Sequence, residues 1–172
     1  MNVALTAIMV ALASTPAPLP LPLTSMAEGP PLRRYSEARF DKYLFHVYDI
    51  ALWVSGERYS PAAVHALDIR YAIAVSGRDL AKRSVAEMRR QGITDAAKLA
   101  RWEAEMTRVF PDIARGDRLV GVAIPGREAR FYDATRALGA IDDGEFAAAF
   151  FAIWLGERTS EPALRSTLLR AP

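Results

Sequence analysis

An α+β fold built on an antiparallel sheet is what this sequence predicts, and three observations predict it. From Ala38 to Ser55 and from Leu67 to Val75 apolar and polar residues alternate, or run as short aromatic and branched stretches, as strands do. From Leu80 to Val109 the apolar residues recur at helical spacing instead. The two periods then follow each other once more, giving strands, two helices, strands, two helices, the order of a sheet covered by helices. The chain has 172 residues, 51% of them apolar, and no cysteine. That length suits one domain. The missing thiols exclude a disulfide scaffold, a thiol nucleophile and a zinc–thiolate site.

Residues 1–27 carry no charged side chain, and Glu28 is the first. An apolar run from Val3 to Ala13, a proline-rich stretch and the small-x-small site Ser25-Met26-Ala27 have the pattern of a secretory signal peptide. Cleavage is expected after Ala27, with Ala13 as the second site. Residues 28–37 read as a short N-terminal arm, and 38–172 as the domain. Removal of 1–27 leaves no apolar run long enough to span a bilayer, so the mature protein is expected in the periplasm or secreted.

Ala38 to Ser55, rich in aromatic and branched residues, is expected to form two strands with a turn near Asp41-Lys42, or one long bent strand. Leu67 to Val75 alternates as a half-buried strand. Asp79 to Gln91 follows as a helix, with Gly92 at its C-terminal cap. Thr94 is placed to cap the next helix, whose Leu99, Trp102, Met106 and Val109 share one face and which Pro111 ends. Arg118–Ile124 and Glu128–Tyr132 flank Pro125-Gly126 as a hairpin. Asp142-x-x-Glu145 resembles a capping box before Phe146 to Leu155, a helix so apolar that it must be buried against a sheet. Pro162 opens a last helix through Leu169.

Chemistry-bearing motifs are few. There is no phosphate loop, no His-x-x-x-His pair and no nucleophile elbow. His46 reads as a strand histidine and His65 as a loop residue; two histidines without cysteine give no basis for a metal site or cofactor. The net charge is +2, and 19 arginines and 3 lysines are scattered without a dense stripe, so no nucleic-acid partner is expected. Asp142 and Asp143 are neighbours in sequence and read as a cap, not a catalytic pair. What remains is Arg39 on the first strand and Tyr48 on the second. A guanidinium fork and a phenol at the mouth of an apolar cleft would hold a carboxylate while the cleft takes a chain.

Several segments in order carry a family likeness: Arg39-Phe40, Phe45-His46-Val47-Tyr48-Asp49-Ile50, Phe110-Pro111-Asp112-Ile113, Arg130-Phe131-Tyr132, and Phe150 to Gly156. The chain resembles the chalcone isomerase-like family, in its bacterial exported branch, from about Ala38 to Leu169. The resemblance implies an open-faced sandwich, an antiparallel sheet covered by helices with a ligand cleft between them. It implies ligand-binding roles for Arg39 and Tyr48, the latter at the position that is Thr in the isomerases and Tyr in the fatty-acid binders. Leu80 and Glu87 fall where the isomerases carry Tyr and Asn. Leu cannot orient a water, and Glu87 would oppose a developing phenolate. The expectation is therefore a non-catalytic binder of a fatty acid or similar amphiphile. An intramolecular lyase or isomerase acting on a phenolic or an oxidised lipid is the alternative, and an envelope interaction protein with a closed cleft is the third.

Overall fold

The computed structural model describes residues 31–169. Six strands form one sheet in the order β1-β2-β3-β4-β5-β6, each antiparallel to its neighbour. They are β1 (Arg33–Lys42), β2 (Phe45–Val54), β3 (His65–Tyr71), β4 (Arg118–Ile124), β5 (Glu128–Tyr132) and β6 (Ala137–Ile141). Helices α1 (Gly77–Arg90) and α2 (Ala96–Val109) connect β3 to β4, and α3 (Gly144–Leu155) and α4 (Pro162–Leu169) follow β6. Residues 1–27, read from the sequence as a signal peptide, lie outside the described residues.

Strand alternation sorts the sheet into two faces. Tyr48 stands opposite Tyr71, and Ile50 opposite Ile69, which pairs in turn with Leu119. Leu52, Leu67, Gly121 and Phe131 form the next row of the same face. This face meets the helices and carries the main core. The other face holds Asp49, Arg70 and Arg118 in one row, with Arg118 Nε donating to Asp68 Oδ1 at 2.6 Å.

The helices sit where their polar ends are satisfied. Ser76 Oγ accepts from Asp79 N to cap α1, and Gly92, at φ +102°, turns the chain out of it. Gly77 comes so close to Phe110 that an added Cβ would stand 2.2 Å from its carbonyl oxygen, so no larger residue fits there. In α2 the expected face Leu99, Trp102, Met106 and Val109 is buried. Helix α3 buries Phe146, Phe150 and Phe151, and Phe150 meets Phe131 of the sheet edge-on, ring centroids 5.3 Å apart.

Several boundaries differ from the sequence expectation. Strand β3 runs His65–Tyr71 instead of Leu67–Val75, and Val75 forms only an isolated bridge with Ile113. Strand β1 starts at Arg33, inside the stretch read as an arm. The β1–β2 turn falls at Tyr43-Leu44, two residues later than expected, and both have positive φ, 48° and 72°. Helix α2 is capped by Asp95, whose carboxylate accepts from Lys98 N at 2.9 Å, instead of by Thr94. Helix α3 is capped by Asp143, which accepts from the backbone N–H groups of Glu145 and Phe146, so Asp142 is one residue too early. Strand β6 carries too short an alternation, interrupted by Gly139, to be read from sequence.

Candidate ligand cleft

Between the inner sheet face and helices α1 and α3 lies an open cleft of about 360 Å³. Its floor is Ile69, Leu119 and Phe131; its walls are Leu80 and Phe150. These side chains give an apolar trough, and the size falls within the range of small-molecule sites. Lys42, Tyr48, Glu87 and Glu161 interact at one end, and Arg83, Ser84 and Ser160 also line the cleft.

Tyr48 is built into the wall. Its ring stacks on Phe40 at 4.8 Å and meets Tyr71 edge-on at 6.0 Å. Its Oη accepts from Trp154 Nε1 at 3.0 Å. Indole N–H only donates, so the phenol keeps its own proton for a ligand acceptor. Burial is the main cause that pushes the Tyr48 phenol well above its ordinary value; the Trp154 hydrogen bond opposes this, and the Glu161 and Glu87 carboxylates add to it. Tyr71 is pushed up in the same way, by burial and then by Tyr48. Both phenols are therefore neutral donors at physiological pH.

Charge at this end is nearly balanced. Lys42 Nζ donates to Glu161 Oε1 at 2.9 Å, and that hydrogen bond, with the carboxylate's charge, raises the Lys42 ammonium above its usual value. Arg83 on α1 is exposed and forms no ion pair among the described residues. Glu87, one turn further, has its Oε2 buried without a hydrogen-bond donor, and its nearest cation, Arg90 Nε, stands 3.8 Å away.

The structure brings Tyr48 to the cleft but not Arg39. Arg39 Nε donates to Asp41 Oδ1 at 2.9 Å, with 60% of its side chain exposed, and Arg39 is not among the lining residues. The cause is a one-residue bulge. Lys42 pairs with Phe45 and Asp41 with His46, but the next pair is Phe40 with Tyr48, which leaves Val47 over. An unbroken ladder would set Arg39 opposite Tyr48. The bulge instead sets Arg39 opposite Asp49, on the outer face. The cations that do border the cleft are Lys42 and Arg83. Arg83 was legible in principle, because it lies between Leu80 and Glu87 on a helix whose inward positions the sequence marks.

The histidines lie elsewhere. His46 Nε2 faces Asp49 Oδ1 at 3.1 Å on the outer side. His65 is the first residue of β3 instead of a loop residue, and is 4% exposed. Its Nδ1 donates to Ala63 O at 2.8 Å, while Nε2 has no partner. Burial lowers its pKa, with the Ala63 contact opposing. Among the described residues no three His, Asp or Glu side chains cluster as metal ligands would.

A six-stranded antiparallel meander, covered on one face by helices that leave a cleft over its inner side, defines an open-faced sandwich. The chain belongs to the chalcone isomerase-like family, which matches residues 36–170. Among solved structures it is similar to a fatty-acid binding protein of Arabidopsis thaliana, with a TM-score of 0.65 and 11% identity over 85% of this chain and 89% of that one. At that identity the likeness shows the fold. No curated protein matches the chain.

Proposed function

We propose that this protein binds a single-chain amphiphile, a fatty acid or a molecule like it, in the cleft, and does no chemistry on it. One observation carries the reading: an apolar trough whose lining includes a neutral phenol donor, Tyr48, and the unpaired guanidinium of Arg83. The chain would lie along Ile69, Leu119, Phe131 and Phe150, where each buried methylene contributes roughly 0.8 kcal/mol. The head group would accept from Tyr48 and Arg83. The position of Leu80 in the cleft wall supports binding over isomerisation, because its apolar side chain cannot orient a water or polarise a ketone oxygen. The uncharged, small-residue-ended segment 1–27 supports export.

Native mass spectrometry of the protein prepared without detergent, followed by titration with palmitate, tests this. The expected result is a saturable 1:1 complex with a mass of acyl-chain size. A protein that stays free of ligand through the titration overturns the proposal, and turnover of a chalcone panel above the spontaneous rate would replace it with the isomerase.

A further inference from the structure

The β1–β2 turn presents Tyr43, Leu44 and Phe45 with 86%, 101% and 74% of their surface exposed. They are the large apolar residues most exposed among those described, and they stand together at one hairpin tip. A two-residue turn with positive φ at both positions is the natural place for Asn-Gly. Here Tyr and Leu hold it instead, at φ 48° and 72°. Burial does not offset the backbone strain, since both side chains stay exposed. Lys42, the residue before the tip, borders the cleft, and its ammonium lies over the Phe40 and Tyr43 rings at 5.9 and 5.8 Å. The tip therefore stands at the polar end of the cleft. Helix α1 borders the same cleft through Arg83 and carries five cations along its length (Arg78, Lys82, Arg83, Arg89 and Arg90) against two carboxylates.

We infer that this hairpin tip docks the protein on an anionic lipid bilayer. Tyr43 would sit at headgroup depth, Leu44 and Phe45 in the upper acyl region, and the net positive α1 against the lipid phosphates. This goes beyond the cleft's binding role and rests partly on it, since docking at this end sets the opening against the source of a membrane amphiphile. An aqueous protein partner is disfavoured because three apolar residues on one turn are too small a patch for a stable protein interface.

Sedimentation of the full chain with vesicles tests it. One set is phosphatidylcholine alone and the other contains 30 mol% phosphatidylglycerol, by choice of experiment. The variant is Tyr43→Asn with Leu44→Gly, which suits the turn and so keeps or raises stability. Palmitate affinity is measured in parallel. The expected outcome is at least about tenfold tighter binding to the anionic vesicles, an equal loss in the variant, and unchanged palmitate binding. A second readout places the tip itself: Leu44→Trp should give a blue-shifted difference emission, quenched by brominated acyl chains. Equal sedimentation of wild type and variant, with Leu44→Trp emission unmoved, overturns the inference. Equal binding to both vesicle types overturns its electrostatic part. Intact palmitate binding in either case leaves the cleft reading standing, so the two fail separately.

Discussion

Tyr48 donates one charge-assisted hydrogen bond to the carboxylate of the proposed ligand, so its loss is worth about 1.5–3 kcal/mol. Tyr48→Phe should weaken palmitate roughly tenfold to a hundredfold, read by displacement of a fluorescent fatty acid. Arg83→Ala should cost about fivefold, and less at high salt, because its guanidinium is exposed. Arg39→Ala should change nothing, since Arg39 binds Asp41 on the outer face; a loss there as large as at Tyr48 would move the head-group site. Glu87→Gln should strengthen palmitate several-fold by removing like-charge repulsion next to the head group. The inward direction of Tyr48 was legible from alternation. That of Arg39 was not, because the residue left over in the bulge is Val47 and nothing in its type announces a shifted register. His65 gives a residue-scale pH effect. Its pKa is lowered on folding, so below the unfolded value near 6.5 the unfolded chain takes up the proton first. Stability should fall as pH drops from 7 toward 5.5, and His65→Gln should flatten that slope in denaturant titrations at the two pH values.

At the scale of the element, α3 depends on one side chain at its start. Asp143 caps two backbone N–H groups and also accepts from Trp102 Nε1 and Arg101 Nη2, each at 2.9 Å. Burial alone would raise its carboxyl pKa, but the Trp102 hydrogen bond, the two backbone bonds and Arg101 together hold it below the usual value. Asp143→Ala removes the cap and leaves Trp102 Nε1 without its acceptor, for an expected loss of about 2 kcal/mol by urea unfolding. A depressed carboxyl pKa contributes stability that is present above the unfolded value, near 3.9, and is lost as pH falls through the folded one. Asp143→Asn should therefore lose stability at pH 7 yet show a shallower decline below pH 4. The sequence marked an acidic cap at this helix and an apolar body after it, because both are local signals. It marked neither the Tyr43-Leu44 turn nor β6. The turn uses residues with no turn preference, and β6 is held by its ladder to β5, which local sequence does not display.

The whole molecule couples the cleft to its stability, because the cleft floor is also the core. Leu119, Phe131 and Phe150 line the trough and belong to the main buried cluster. The fold itself was legible at this scale: alternation, helical spacing and their order specify a sheet with one covered face, and a meander is the simplest topology that joins neighbours in sequence. What order alone does not give is the gap between that sheet and its helices, which depends on side-chain volumes meeting across the layers. An amphiphile filling that gap binds only the folded chain, so it must raise the unfolding temperature by mass action. At about one hundred times the dissociation constant the stabilisation is about 2.7 kcal/mol, which for a domain of this size corresponds to roughly 5–10 °C. Scanning calorimetry with and without palmitate measures it. Tyr48→Phe at the same palmitate concentration should shift less, by the logarithm of its lost affinity. A titration that saturates while the unfolding temperature stays fixed would mean palmitate binds folded and unfolded chain alike, as a surface-adsorbed detergent does and a cleft ligand cannot.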